Sequence, residues 1–203
     1  AFRANREAAL IYGNADFIDT EGQTLGPCTV VEPYSRFRLL HYGDYIIQPA
    51  AFFSRQAYND VGGLDKSLHW AMDWDLWIRL SQSNEVVYID KDMASYRWLG
   101  SNKTAEGGLD RINEVESVAR RYGSKGLPAY FRLEKARLLA SQSRQDLQQG
   151  RYVLMLDKLT RSAATIFSSR RALTCLLSPR VWQSYRTSRI LYRYAEEQSA
   201  NHR

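Results

Sequence analysis

The sequence predicts an α/β fold in two parts: a partial open sheet with short helices over residues 1–104, then a mostly α-helical extension over residues 105–203 that is basic from 151. Three observations carry this expectation. Short apolar runs bounded by turn residues recur through the first part, at Ile11-Tyr12, residues 50–53 and residues 85–89. A strongly amphipathic helix sits among them at residues 73–80. From Thr104 onward, apolar residues fall at helical spacing, broken only at Gly123, Gly126-Leu127-Pro128 and Gly150.

In chain order, residues 2–10 read as the end of a helix that feeds a short strand at Ile11-Tyr12. Gly13-Asn14-Ala15-Asp16-Phe17-Ile18-Asp19 and the turn Thr20-Glu21-Gly22-Gln23 come next. That order places Asp16 at a strand end, where open α/β sheets hold their ligands. Residues 37–42 form a short helix ended by Gly43-Asp44. Ile46-Ile47-Gln48-Pro49 reads as an approach strand, confined to an edge or an end by Pro49. Ser54 then starts a helix through Asp60, closed by the Gly62-Gly63 turn, and Asp65 is placed to cap the segment after it.

The helix at residues 73–80 carries the densest pattern. Asp73 is positioned to cap it, Met72 to staple onto Trp77, and Asp75 to pair with Arg79 one turn on. Trp74, Trp77 and Ile78 share one face, widened by Leu76 and Leu80. Residues 85–89 alternate as a strand, and Asp90-Lys91-Asp92 turns the chain into residues 93–97. Helices are expected at 110–122, 127–149 and 151–168, with Phe131, Leu138, Leu139 and Leu147 as a packing stripe.

Composition narrows the class. The chain of 203 residues, 44% hydrophobic and 12% aromatic, can bury a substantial core. No uninterrupted apolar run reaches the roughly 18 residues needed to cross a membrane. The net charge is +6, and its basic part lies in residues 151–203, where ten Lys and Arg face three Asp and Glu. Residues 170–194 mix Leu173, Leu176, Leu177, Trp182, Tyr185 and Leu191 with Arg170, Arg171, Arg180, Arg186, Arg189 and Arg193. Such a basic amphipathic segment suits either a membrane surface or a solvated helix face packed on the core. No nucleic-acid reading motif accompanies the charge, so nucleic acid is not an expected partner. Two cysteines, Cys28 and Cys175, lack disulfide-framework or metal spacing and fit a reducing, cytoplasmic setting, peripheral to the inner face of the membrane if the tail docks there. The start, Ala1-Phe2-Arg3, has neither an initiator Met nor a signal pattern, as in a piece of a longer protein.

Gln48-Pro49-Ala50, Val61-Gly62-Gly63-Leu64-Asp65 and Met72-Asp73-Trp74-Asp75-Leu76-Trp77-Ile78-Arg79-Leu80 together resemble the acceptor-side motif of family 2 glycosyltransferases, whose nucleotide-sugar-binding fold is called GT-A. The match runs over more than thirty residues in ordered spacing. It implies a partial, Rossmann-like GT-A sheet, and transfer of a sugar from a nucleotide-diphosphate donor to the hydroxyl of a glycan or lipid-linked acceptor. Inversion at the anomeric carbon and a role in cell-surface polysaccharide or glycan synthesis come with it. Asp73 would be the general base; as a residue read alone it serves equally as a helix cap. Asn14-Ala15-Asp16 stands where the family has Asp-x-Asp, so Asp16 and Asn14 would hold Mg²⁺ or Mn²⁺ through hard oxygens, against a plainer role closing a turn. Arg97 and Lys103 would neutralise the diphosphate, although Leu99 replaces the family's usual His. Gln48, Trp70 and Trp74 would shape the acceptor pocket, with core packing the competing role for Trp74.

Only residues 1–13 precede the Asp-x-Asp position, so the nucleotide-recognising half of the family's sheet is not represented and the chain alone is expected to be inactive. The competing reading from another class is a degenerate, non-catalytic module that binds membrane or partner proteins through its basic helical tail.

Overall fold

The run Ala8-Ala9-Leu10-Ile11-Tyr12 is extended rather than helical, and the molecule is laid around it. In the computed structural model, which describes residues 1–28, 31–82, 84–99, 101–167, 177–179, 181–183, 185 and 186, these five residues begin β1 (Ala8–Ile18) and none is more than 2% exposed. A strand covered on both faces loses the alternation of a half-buried one. For that reason the segment expected to end a helix is a central strand. Asp16 therefore lies inside a strand of eleven residues rather than at the end of a short one.

β4 (Glu85–Arg97) runs parallel to β1 along one edge. The other edge is shared by β3 (Ala51–Phe53), antiparallel to residues 10–12, and β2 (Thr24–Pro27), antiparallel to residues 16–18. The sheet is thus mixed. Asp90-Lys91-Asp92 does not turn the chain, because β4 bulges there: Gly13 pairs with Ile89, but the next residue, Asn14, pairs with Asp92. Gly13 makes this approach possible, since a Cβ on it would lie 2.4 Å from the Met93 sulfur and 2.7 Å from the Lys91 carbonyl oxygen. Ile46-Ile47-Gln48-Pro49 is likewise not a strand. Gln48–Ala50 forms one 3₁₀ turn, with Pro49 in its first positions, and the strand starts after it.

The short helices at 36–41 and 55–60 and the Gly62-Gly63 turn agree with the sequence reading. α1 (Arg36–His41) and α2 (Arg55–Asp60) are capped by Ser35 and Ser54, whose hydroxyls accept from the backbone N–H three residues on. Gly62 and Gly63 both take positive φ, and a Cβ on Gly63 would strike the Tyr58 ring at 3.0 Å. α3 (Met72–Leu80) buries Trp74, Leu76, Trp77, Ile78 and Leu80.

The core joins β1, α1 and α3 to Ile112, Val115, Val118 and Ala119 of α5 (Gly108–Arg121) and Phe131 of α6 (Ala129–Gln148). It therefore continues across residue 104, where the helical extension was expected to begin. α4 (Lys103–Glu106) is a single turn leading into α5. α7 (Tyr152–Phe167) packs back along α6, beginning one residue after its expected start; its expected end at 168 lies outside the described residues. Most of the basic segment 170–194 lies outside the described residues.

Candidate functional site

A cavity of about 570 Å³ opens between α3, the loop before it, the 42–48 segment, and the helices that come after β4. Asp73 lines it from the first turn of α3. The residue is not the cap that the sequence suggested: Ala71 holds that position, and the Asp73 carboxylate accepts from the N–H of its neighbour Trp74, at 2.8 Å, and from its own backbone N–H. The helix entrance is satisfied from elsewhere. Glu114 of α5 accepts the N–H groups of His69 (2.8 Å), Trp70 (2.6 Å) and Ala71 (2.7 Å) in one fan. Burial raises the Glu114 carboxyl, but these three donors outweigh it and hold the group below its usual range. Asp73 is thereby released from capping and left to face the cavity.

Facing the same space is Asp44, which in the sequence reads only as part of a helix-ending turn. Gly43, at φ 137° and with Tyr130 Cβ only 3.3 Å from where its own Cβ would be, turns the chain sharply out of α1. Asp44 then folds back to accept the Ile46 N–H at 3.0 Å, which leaves its second oxygen toward the cavity lining. Burial pushes the Asp44 carboxyl well above the ordinary range, and the charge of Asp73 raises it further. Burial also raises Asp73, opposed by the Trp74 N–H and by the positive charges of Lys103 and Arg111. Two carboxylates in one low-dielectric space share protons unequally. The positive charges of Lys103 and Arg111 favour charge on Asp73, while burial and the Asp73 charge favour the protonated form of Asp44.

The remaining lining is aromatic and basic. Trp70 stands beside His69 at 4.6 Å and 88°, with its indole Nε1 only 2.8 Å from where a Cβ on Gly107 would lie. Gly107, just before α5, is therefore the space into which Trp70 fits. Gln48 is exposed at the start of the 3₁₀ turn, and Lys103 is exposed on α4. Trp74 is 1% exposed and donates its indole N–H to the Leu39 carbonyl at 3.2 Å, so it forms a fixed wall. Arg111 is nearly buried, paired with Glu134 and stacked 5.3 Å over Phe131.

Asp73, Gln48, Trp70, Trp74 and Lys103 thus line one cavity, while Asn14, Asp16 and Arg97 do not. The acid opposite Asp73 is Asp44 rather than Asp16. The Asn14 amide is committed on both ends, accepting from the Tyr88 hydroxyl (2.9 Å) and donating to Asp90 (3.0 Å). Asp16 neighbours Cys28, whose thiol is pushed up to about 12 by burial and by that carboxylate. Among the described residues no three His, Cys, Asp or Glu side chains come together as a metal site. The donor set thus fits a divalent ion only as a single carboxylate, Asp16, completed by ligand oxygens such as those of a diphosphate. Arg97 donates through Nη1 to the carbonyls of Asp19 (2.5 Å) and Thr20 (2.9 Å), clasping the β1–β2 turn. Asp19 shapes that turn, accepting from Glu21 and Gln23.

Asp75 is fully enclosed, held by Arg79 at 2.8 Å, Arg121 at 3.3 Å and the Tyr122 hydroxyl at 2.6 Å. Asp44, Arg111, Glu114 and Gly107 do not stand out in the sequence; the sole local hint is an acid directly after a helix-ending glycine. A scan against protein-family models and a search of curated proteins both find no match for this chain.

Proposed function

We propose that the chain carries the acceptor side of a glycosyltransferase that moves a sugar from a nucleotide diphosphate to a hydroxyl with inversion. The observation that carries the reading is the convergence of Asp73, Gln48, Trp70 and Lys103, drawn from separate stretches, on one cavity with an aromatic wall. The acceptor oxygen attacks the anomeric carbon as its proton passes to the Asp73 carboxylate. The bond from that carbon to the diphosphate oxygen breaks with its electron pair. Positioned proton transfer of this kind contributes about 10²- to 10⁴-fold. Asp44, holding a proton, keeps the site from carrying two adjacent negative charges and sets Asp73 as the basic partner. Trp70 offers an aromatic face to a sugar ring. Lys103 is placed to meet negative charge building on the leaving diphosphate.

Saturation-transfer NMR with a panel of mono- and oligosaccharides tests acceptor binding. Release of nucleoside diphosphate from nucleotide sugars, with a nucleotide-binding half supplied to the chain, tests the chemistry. Binding that weakens at least about tenfold in Trp70→Ala, and turnover that falls about 10²-fold or more in Asp73→Asn, are expected. Saccharide binding indifferent to Trp70, or turnover indifferent to Asp73, sinks the reading.

A second reading, a non-catalytic module, is favoured by the engagement of Asn14 and Arg97 within the protein and by exposed Leu99 in place of a His. Saccharide binding without any turnover, whatever the donor and even with a nucleotide-binding half supplied, would select it.

A further inference from the structure

The hairpin of α6 and α7 is built inside out. Polar side chains lie between the helices: Asp146 of α6, fully enclosed, accepts from Lys158 Nζ at 2.5 Å and from Arg151 Nε at 2.9 Å. Ser143 donates to the Met155 carbonyl at 3.1 Å, and Ser162 to the Ala136 carbonyl at 2.9 Å. Ile166 of α7 packs on the small cluster that holds Ala129 and Leu133 of α6, and Met155 is half-buried, but the other large apolar side chains of α7 are exposed, Leu154 at 49% among them. Tyr152, Leu156, Leu159 and Phe167 are 62, 57, 44 and 67% exposed, and their spacing sets them on one stripe, with Val153 at 81% beside it. No residue of this sixteen-residue helix is buried.

An apolar stripe of this length on a water-facing helix calls for an apolar surface to cover it. No helix among the described residues is long and apolar enough to cross a membrane, so a helix of this kind would lie along a bilayer rather than through it. Charge decides between a lipid surface and a second copy. Residues 151–203 hold ten Lys and Arg against three Asp and Glu, so two copies brought together here would repel, whereas anionic headgroups would attract.

We propose that α7 is an interfacial helix that seats its Tyr152, Leu156, Leu159 and Phe167 stripe in an anionic bilayer surface. In the sequence the expected membrane contact is residues 170–194, mostly outside the described residues; the proposal adds an apolar anchor in α7, with the arginines of the later sequence supplying attraction. None of this rests on the transferase reading.

Flotation of the full chain with phosphatidylcholine vesicles, with and without phosphatidylglycerol, provides the test. The protein is expected to float with the anionic vesicles, less so as salt rises. Leu156→Gln together with Leu159→Gln should lower the partition coefficient at least about tenfold, with melting unchanged, because neither position lies in the core. A fluorescent NBD label on Leu159→Cys, in a Cys175→Ser background, should shift to the blue on the same vesicles, a readout independent of the double variant. The proposal is overturned by absent flotation, by an unshifted label, or by a double variant that floats unchanged. It is equally overturned if the double variant loses a self-associated state, which would put a second copy on the stripe. A lower melting temperature in that variant would also overturn it, since the stripe would then be covered by the chain itself.

Discussion

Asp44 and Asp73 give the cavity its chemistry, and the cost of holding them together is measurable. The folded-state pKa of Asp44 is raised, so its stabilising contribution is full below the unfolded carboxylate pKa of about 4 and is lost as pH rises through the raised value. An amide at that position imitates the protonated acid at every pH. Asp44→Asn should therefore melt like the parent at acid pH and above it near neutrality, by about 2–4 °C for each kcal/mol relieved. Melting curves from pH 3.5 to 8 provide the check, and parallel profiles would mean that the Asp44 carboxyl is not raised in the folded protein. Half of this pair is legible in the sequence. Asp73 stands in a dense local pattern, but Asp44 acquires its role from Gly43 turning the chain against Tyr130, a contact between residues distant in sequence. Asn14 and Arg97 show the converse, since their motif positions are legible but their hydrogen bonds to Tyr88, Asp90 and the β1–β2 turn are made across strands.

Among the elements, α5 does more than fill the core. Its Glu114 caps the entrance of α3, and its Arg121 ties Asp65 of the preceding loop to the enclosed Asp75. Asp65 is lowered to about 2, first by its bonds with Ser67 and then by Arg121, so it braces the loop and does not cap a helix. Glu114→Gln keeps the shape but can accept through one oxygen where two now serve three N–H donors. The loss should be on the order of 1–2 kcal/mol at neutral pH. Because the folded pKa of Glu114 is lowered, its contribution is present above the ordinary glutamate pKa and is lost as pH falls through the depressed value. Denaturant titrations should show the gap between parent and variant closing in acid; a gap constant with pH would remove the carboxylate's charge from the explanation. The elements most legible in the sequence are those whose signals are local: the Ser54 start of α2, the Asp75–Arg79 pair, the glycine turn. The start of β1 reads as a helix end because burial on both faces erases its period, and the bulge in β4 reads as a turn because an acid-rich tripeptide looks like one until Gly13 is seen to admit it.

At the scale of the whole molecule, stability is divided unequally along the chain. β1 is paired on both edges and its first five residues are essentially sealed, and α3, α5 and the start of α6 close over it in one apolar cluster. α7 has no buried residue, and it is held to α6 mainly by polar contacts around Asp146, with Ile166 resting on the cluster of Ala129 and Leu133. Opening α7 exposes less apolar surface than unfolding the core, so it should cost less than global unfolding. Native-state hydrogen exchange should accordingly find the amides of α7 exchanging through a local opening that denaturant barely affects. Those of residues 9–12 should exchange only through global unfolding, with full denaturant dependence. Adding anionic vesicles should slow exchange across α7 without changing residues 9–12, because binding stabilises only the state it contacts. Equal opening free energies in α7 and β1 without lipid would show that the hairpin and the core unfold as one unit, and would remove the inside-out interface as the weak joint of the fold.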